Sequence, residues 1–187
     1  MPTKRDQLVA TAERLFYHEG FYATGIDRVI AEAGVARMTL YKHFRSKDEL
    51  VLAVLERREK AYWQRLESAV ERAGSENRSP LMAVFEAHGQ WLKRKGRHGC
   101  LFLKALGEYA SHAPPIAEAA ARHKRRLIGF LGELARAEGV PESRHLEQSL
   151  CLLLEGATAY AQILPPETAA EQARQAAETL LDAHPRT

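Results

Sequence analysis

Residues 21–55, FYATGIDRVIAEAGVARMTLYKHFRSKDELVLAVL, leave this chain little choice of local fold. Ile26, Val29, Ile30 and Ala33 recur at the helical period and so share one face. Gly34 follows, the residue able to take positive φ where a first helix must stop. Thr24, three residues before Asp27, fits an N-terminal capping box for that helix. After the turn, Val35, Leu40 and Phe44 are spaced to face back into a small core, while Arg37, Met38, Thr39, Tyr41, Lys42 and His43 point elsewhere. Two short helices around a tight glycine turn, the second rich in donors and aromatics, describe a helix-turn-helix.

The arrangement T-G-I-x-x-V-I-A-x-A-G-V-x-x-x-T-L-Y-K-H-F-x-S-K-D-E-L also resembles the N-terminal domain of TetR/AcrR-type transcriptional regulators. The resemblance spans about residues 5–55 and is most specific at Thr39-Leu40-Tyr41-Lys42-His43-Phe44 followed by Ser46-Lys47-Asp48-Glu49-Leu50. It implies that Tyr41, His43 and Lys47 contact the DNA backbone. A phenol hydroxyl, an imidazole N–H and an ammonium can each donate to phosphate oxygens. Thr24 would add a contact at the N-terminus of the preceding helix, where free backbone N–H groups favour an anion. Arg37, Met38 and Thr39 lead the second helix: the guanidinium suits guanine O6 and N7, and Met38 or the Thr39 methyl suits a thymine methyl. Lys42 fits either a base or a phosphate.

The remaining chain reads as helices separated by breakers, so the fold class is all-α with about nine helices. A first helix over residues 4–19 carries Leu8, Ala12, Leu15 and Phe16 on one stripe and stops at Gly20. Lys4 and Arg5 at its start either reach a phosphate or fray in solvent. Residues 47–73 form one long helix with Val51, Leu55, Tyr62, Leu66 and Val70 in step, ended by GSENRSP. Such a helix leaves the DNA-binding unit and enters a second domain, so it can act as a lever. The expected division is therefore 1–47, a three-helix DNA-binding domain, and 48–187, an antiparallel helical bundle for effector binding and dimerisation. Helices follow at about 81–93, 100–109, 116–137, 143–164 and 167–183. The loop Lys93–Gly99 is basic, but its two glycines favour plain solvation over an acidic partner.

The helix after Ser149 is apolar almost all round, through Leu150, Leu152, Leu153, Leu154, Ala157, Ala161, Ile163 and Leu164. It needs cover on both sides, and in so small a chain the second cover is another subunit. Ala169, Ala173, Ala176, Ala177 and Leu180 give the last helix a small-residue stripe. The two helices are expected to meet their two-fold mates as a four-helix bundle, making a homodimer. The resemblance implies the same dimer, and a small organic effector held among the C-terminal helices that weakens DNA contact.

Candidates for lining that effector site are Trp63, Phe85, His88, Trp91, Cys100, Phe102, Tyr109, Phe130, Glu155 and Tyr160. Apolar walls with few polar handles suit a drug-sized molecule, although core packing is the simpler account of any one of these residues. Glu155 is the least expected in its surroundings and needs either a ligand or a bonded partner such as Arg, His or Tyr. Cys100, just after Arg97 and His98, is either an activated sensor thiol or an inert one.

Composition limits the alternatives. A formal net charge of +3 is too small to mark a nucleic-acid partner, but residues 1–47 hold eight Lys/Arg against five Asp/Glu. Two cysteines far apart suggest no disulfide framework, no apolar run spans a membrane and no signal peptide opens the chain, so the expected place is the cytoplasm. No cofactor fingerprint or zinc spacing is present; the single Glu142-x-x-His145 pair lacks the second copy that a di-iron site needs. The expected function is a sequence-specific repressor released from an inverted-repeat operator by a small effector, not an enzyme. The rival is an all-α carrier or enzyme whose helix-turn-helix is structural, which would pack the second helix inward.

Overall fold

A computed structural model describes residues 2–184. Those residues form nine α-helices and no strand: α1 Lys4–Glu19, α2 Ile26–Ala33, α3 Arg37–His43, α4 Lys47–Ser75, α5 Pro80–Lys95, α6 Leu101–Tyr109, α7 Pro114–Ala137, α8 Arg144–Tyr160 and α9 Pro166–Asp182. Thr3 caps α1 and closes a capping box with Asp6, which places Lys4 and Arg5 inside the first turn. Arg5 lays its guanidinium over the Phe44 ring, 5.3 Å from the centroid. The expected cap on α2 is absent. Gly25 occupies that position, and the Thr24 hydroxyl donates instead to the Gly20 carbonyl at 2.8 Å. Gly20 turns the chain with φ +90°, and its carbonyl is the acceptor that Thr24 meets. Gly34 ends α2 in the left-handed conformation, φ +62°.

The helices pack as two compact units. The first comprises residues 1–61 and 101–123, so α6 and the first half of α7 belong with the three N-terminal helices. This packing division cuts α4 near residue 61, since α4 continues unbroken past residue 47. In this unit α1 packs on α2 and α3, and Leu8, Leu15, Phe16, Phe21, Leu40 and Leu50 are fully buried.

The second unit comprises residues 62–100 and 124–187. There α9 packs on both α5 and α8 of the same chain. Ala169, Ala173 and Ala177 are buried in that contact, so these three small residues of the α9 stripe pack within the chain itself, while Ala176 and Leu180 of the same stripe stay partly exposed. Close approach is visible at Gly89, where an added Cβ would stand 3.0 Å from the Ala170 Cβ. The helix α8 ends at Tyr160, short of Leu164. Leu146, Leu150, Leu154 and Ala157 are buried, whereas Leu152 is 70% exposed on its outer side and Ile163, in the turn after the helix, is 78% exposed.

Candidate functional site

The α3 helix is held by one deeply buried side chain, Leu40, with Phe44 closing its C-terminal end. Fixing those two against the core turns the opposite side outward. Arg37, Met38, Tyr41 and Lys42, at steps of one, four and five, make up that outward side. Met38 is 81% exposed and stands beside Tyr41, 43% exposed, on that outward side. Arg37 bonds Asp27 at 2.7 Å and lies 5.7 Å above the Tyr41 ring. The ion pair is solvated on both sides, so it is weak, and Arg37 can exchange Asp27 for another acceptor at little cost. No side chain caps α2 or α3, which leaves first-turn N–H groups open to an outside acceptor.

The other expected DNA contacts lie differently. Thr39 and His43 are half-buried on the flanks of α3. Lys47 donates its ammonium to the Phe21 carbonyl at 2.6 Å, and burial holds its pKa below the usual lysine value despite nearby Glu108 and Asp48. Thr24 is wholly buried and its hydroxyl is engaged by the Gly20 carbonyl. The sequence pattern for a cap does not say whether the turn before the helix offers a nearer acceptor.

The effector candidates divide between the two units. Phe102 and Tyr109 belong to the first. Phe102 stacks on His123, with centroids 3.7 Å apart, beside a groove of about 550 Å³ lined by Arg5, Leu52, Glu56 and Arg122 among others. Tyr109 packs edge-on against Phe21 and stacks on Tyr22; burial, then Asp48 and Glu108, push its phenol up to about 12. In the second unit, Trp63 meets Phe130 edge-on at 5.3 Å under the Arg126 guanidinium, and Phe85 is buried in the same core. Tyr160 is 57% exposed and lines nothing inside.

His88, Trp91, Cys100 and Glu155 fall in one neighbourhood. His88 Nε2 lies 2.9 Å from the Thr158 hydroxyl and its ring 5.4 Å from Trp91. Glu155 is paired with Lys124, so its expected partner is a lysine and not Arg, His or Tyr. Burial opposes the Lys124 ammonium, but Cys100 and Glu155 outweigh it and raise the pKa. Lys124 is thus a cation electrostatically coupled to Cys100, which sequence proximity to Arg97 and His98 did not suggest. Cys151 is pushed up to about 11, by burial first and Glu155 second, and so stays a thiol.

Comparison with known proteins now bears on the outward face of α3. Residues 8–54 match the model of the bacterial regulatory proteins of the tetR family. A TetR-family transcriptional regulator from Streptomyces coelicolor is 32% identical, with a TM-score of 0.88 over 96% of this chain and 94% of its own. The chain belongs to the TetR family of transcriptional regulators. A TetR-type regulator from Streptomyces avermitilis is 28% identical with a TM-score of 0.80, each chain covered to 100%. The transcriptional repressor NemR of Escherichia coli is 28% identical over 130 residues, 69% of this chain and 65% of NemR, so that match spans less than two thirds of the relative.

In this TetR-family chain, contacts that no local sequence pattern signals hold the end of α1 and the turn that follows it. Glu108 on α6 accepts from the backbone N–H groups of Phe21 and Tyr22 at 3.1 and 2.6 Å. Lys104 donates to the Tyr17 carbonyl at 2.8 Å, and the Tyr22 hydroxyl meets His112 Nε2 at 2.9 Å. These residues are 86 to 90 positions apart in sequence, and no local pattern pairs them.

Proposed function

We propose that this chain is a dimeric, cytoplasmic regulator, acting as a repressor released by a small organic effector. The observation that carries the reading is the outward face of α3, where Arg37, Met38, Tyr41 and Lys42 stand exposed on a helix anchored by Leu40. A structural helix-turn-helix in an enzyme or carrier would bury those side chains. Each dimer sets two such helices in successive major grooves, about 34–36 Å apart, on an inverted-repeat operator. Arg37 reads a guanine and Met38 a thymine methyl, while Tyr41, His43 and backbone N–H groups take phosphates. Lys42 serves either.

The dimer forms through the outer face of α8, where Leu152, Gly156 and Tyr160 recur every four residues, with Ile163 exposed in the turn just beyond its end, supported by α9. A Cβ at Gly156 would meet nothing within 4 Å, which leaves room for close approach by a second copy. The effector binds in the second unit and favours a conformer with the wrong α3 spacing. It shifts that equilibrium only by its differential affinity for the two states. No helix among the described residues is long and apolar enough to cross a membrane.

The test is selection from a random-sequence duplex library by purified protein at two salt concentrations. An enriched palindrome with half-sites one helical turn apart is the expected result. Binding without enrichment that vanishes with salt would reduce the interaction to charge attraction and reject the reading.

A further inference from the structure

The polar groups at His88 and Glu155 specify what kind of molecule the second unit takes. His88 is 4% exposed, and its Nε2 faces the Thr158 oxygen at 2.9 Å. Thr158 has one hydroxyl hydrogen, and it goes to the Leu154 carbonyl, 2.9 Å away and one turn back on α8. The Thr158 oxygen can therefore only accept from His88. That assigns the ring hydrogen to Nε2 and leaves Nδ1 a lone pair. Nδ1 is buried and has no hydrogen-bond partner. Protonation does not relieve it, because burial and then the Lys124 charge depress the imidazole pKa to about 3. Three residues before Thr158, Glu155 is in the same condition. Lys124 bonds its Oε1, while Oε2 is buried and unmatched. Glu155 lies one turn before Thr158 on α8, and Thr158 is the residue that His88 meets, so the two orphaned atoms face one stretch of that helix inside the second unit.

Both orphans are acceptors, and a buried acceptor without a donor is costly. An anion would add lone pairs to lone pairs. A cation gains little, because Glu155 is already neutralised by Lys124 and the ammonium would repel it. Trp91, 5.4 Å from the His88 ring, offers a flat apolar wall. We infer that the effector is a neutral hydroxylated aromatic compound whose O–H donates to His88 Nδ1, with Glu155 Oε2 available to a second polar hydrogen. The inference rests on the reading of the second unit as an effector site, and narrows it to one chemical class.

The test is calorimetric titration of the full chain with four probes of one shape: 2-naphthol, its methyl ether, 2-naphthoate and 2-naphthylmethylammonium. The naphthol binds at least about tenfold more tightly than the ether, which keeps the ring but lacks the donor, and more tightly than either ion. In His88→Phe, checked for native circular dichroism, naphthol and ether converge. If that variant does not fold, ¹⁵N resonances of the His88 ring in the unaltered protein decide: Nδ1 starts unprotonated and shifts on adding naphthol but not ether. Equal binding of naphthol and ether, preference for an ion, or no binding by any probe overturns the inference. A parallel screen of a chemically broad library for operator release separates the two failures. Release by other compounds alone leaves the effector reading standing and rejects this class, and release by none rejects both.

Discussion

Acidification from pH 7.5 to 5 charges an ordinary histidine but not His88. In the unfolded chain the ring titrates near 6.5, whereas burial, reinforced by Lys124, brings the folded value to about 3. As pH falls below 6.5 the unfolded state takes up a proton that the folded state refuses, so stability declines with acid. At pH 5 the unfolded ring is almost fully protonated and the native ring neutral. The resulting loss is RT ln(1 + 10^1.5), about 2 kcal/mol relative to neutral pH. The decline continues toward the folded pKa near 3 and flattens below it. Seven other histidines contribute their own slopes, since the chain holds eight in all (8 − 1 = 7). A comparison with His88→Gln removes them, because the amide still donates to Thr158 but does not titrate. Urea unfolding of both proteins at one fixed concentration, at pH 7.5 and 5, is the assay, fixed because dimerisation couples stability to concentration. The unaltered protein should lose about 2 kcal/mol more than the variant between the two pH values. Equal losses would mean that His88 protonates freely in the folded state, and would refute the account of a dry, neutral ring.

Arg37→Ala should relax preference at one base pair of the selected operator, at about 1–3 kcal/mol, with no loss of fold stability because the Arg37–Asp27 pair is solvated. Unchanged preference in a randomised-site selection rejects base reading. Lys47→Met should lower the melting temperature, since it strips a half-buried carbonyl of its donor at about 1–3 kcal/mol. An unchanged melt together with a flatter salt dependence of DNA binding would instead return Lys47 to a phosphate contact. Leu152→Glu with Ile163→Glu should yield folded monomers in sedimentation velocity, because both side chains are exposed in the single chain. A persistent dimer moves the interface off α8. Leu40→Ala should cost about 2–5 kcal/mol by opening a void under α3, read in urea unfolding. A cost near zero would show that α3 is anchored elsewhere.

What the sequence determined by itself is whatever depends on neighbours within a few residues. Helical periodicity, the glycine at 34 and the breakers between helices place all nine helices, and the pattern through Lys47 carries the family. Leu40 and Phe44 were legible as inward because a short helix between fixed turns has one apolar side to bury. What covers a face, and which polar group finds which, was decided only by the tertiary path of the chain. Ala169, Ala173 and Ala177 announce close packing but not with whom, and α5 and α8 of the same chain answer it. Thr24 reads as a cap until Gly20 turns its carbonyl toward the hydroxyl. Glu108 on the Phe21 and Tyr22 amides, Lys124 on Glu155, and the unmatched His88 Nδ1 join residues far apart in sequence. Local periodicity encodes direction from one helix axis, whereas hydrogen bonds need positions in space, and those exist only once the helices have packed.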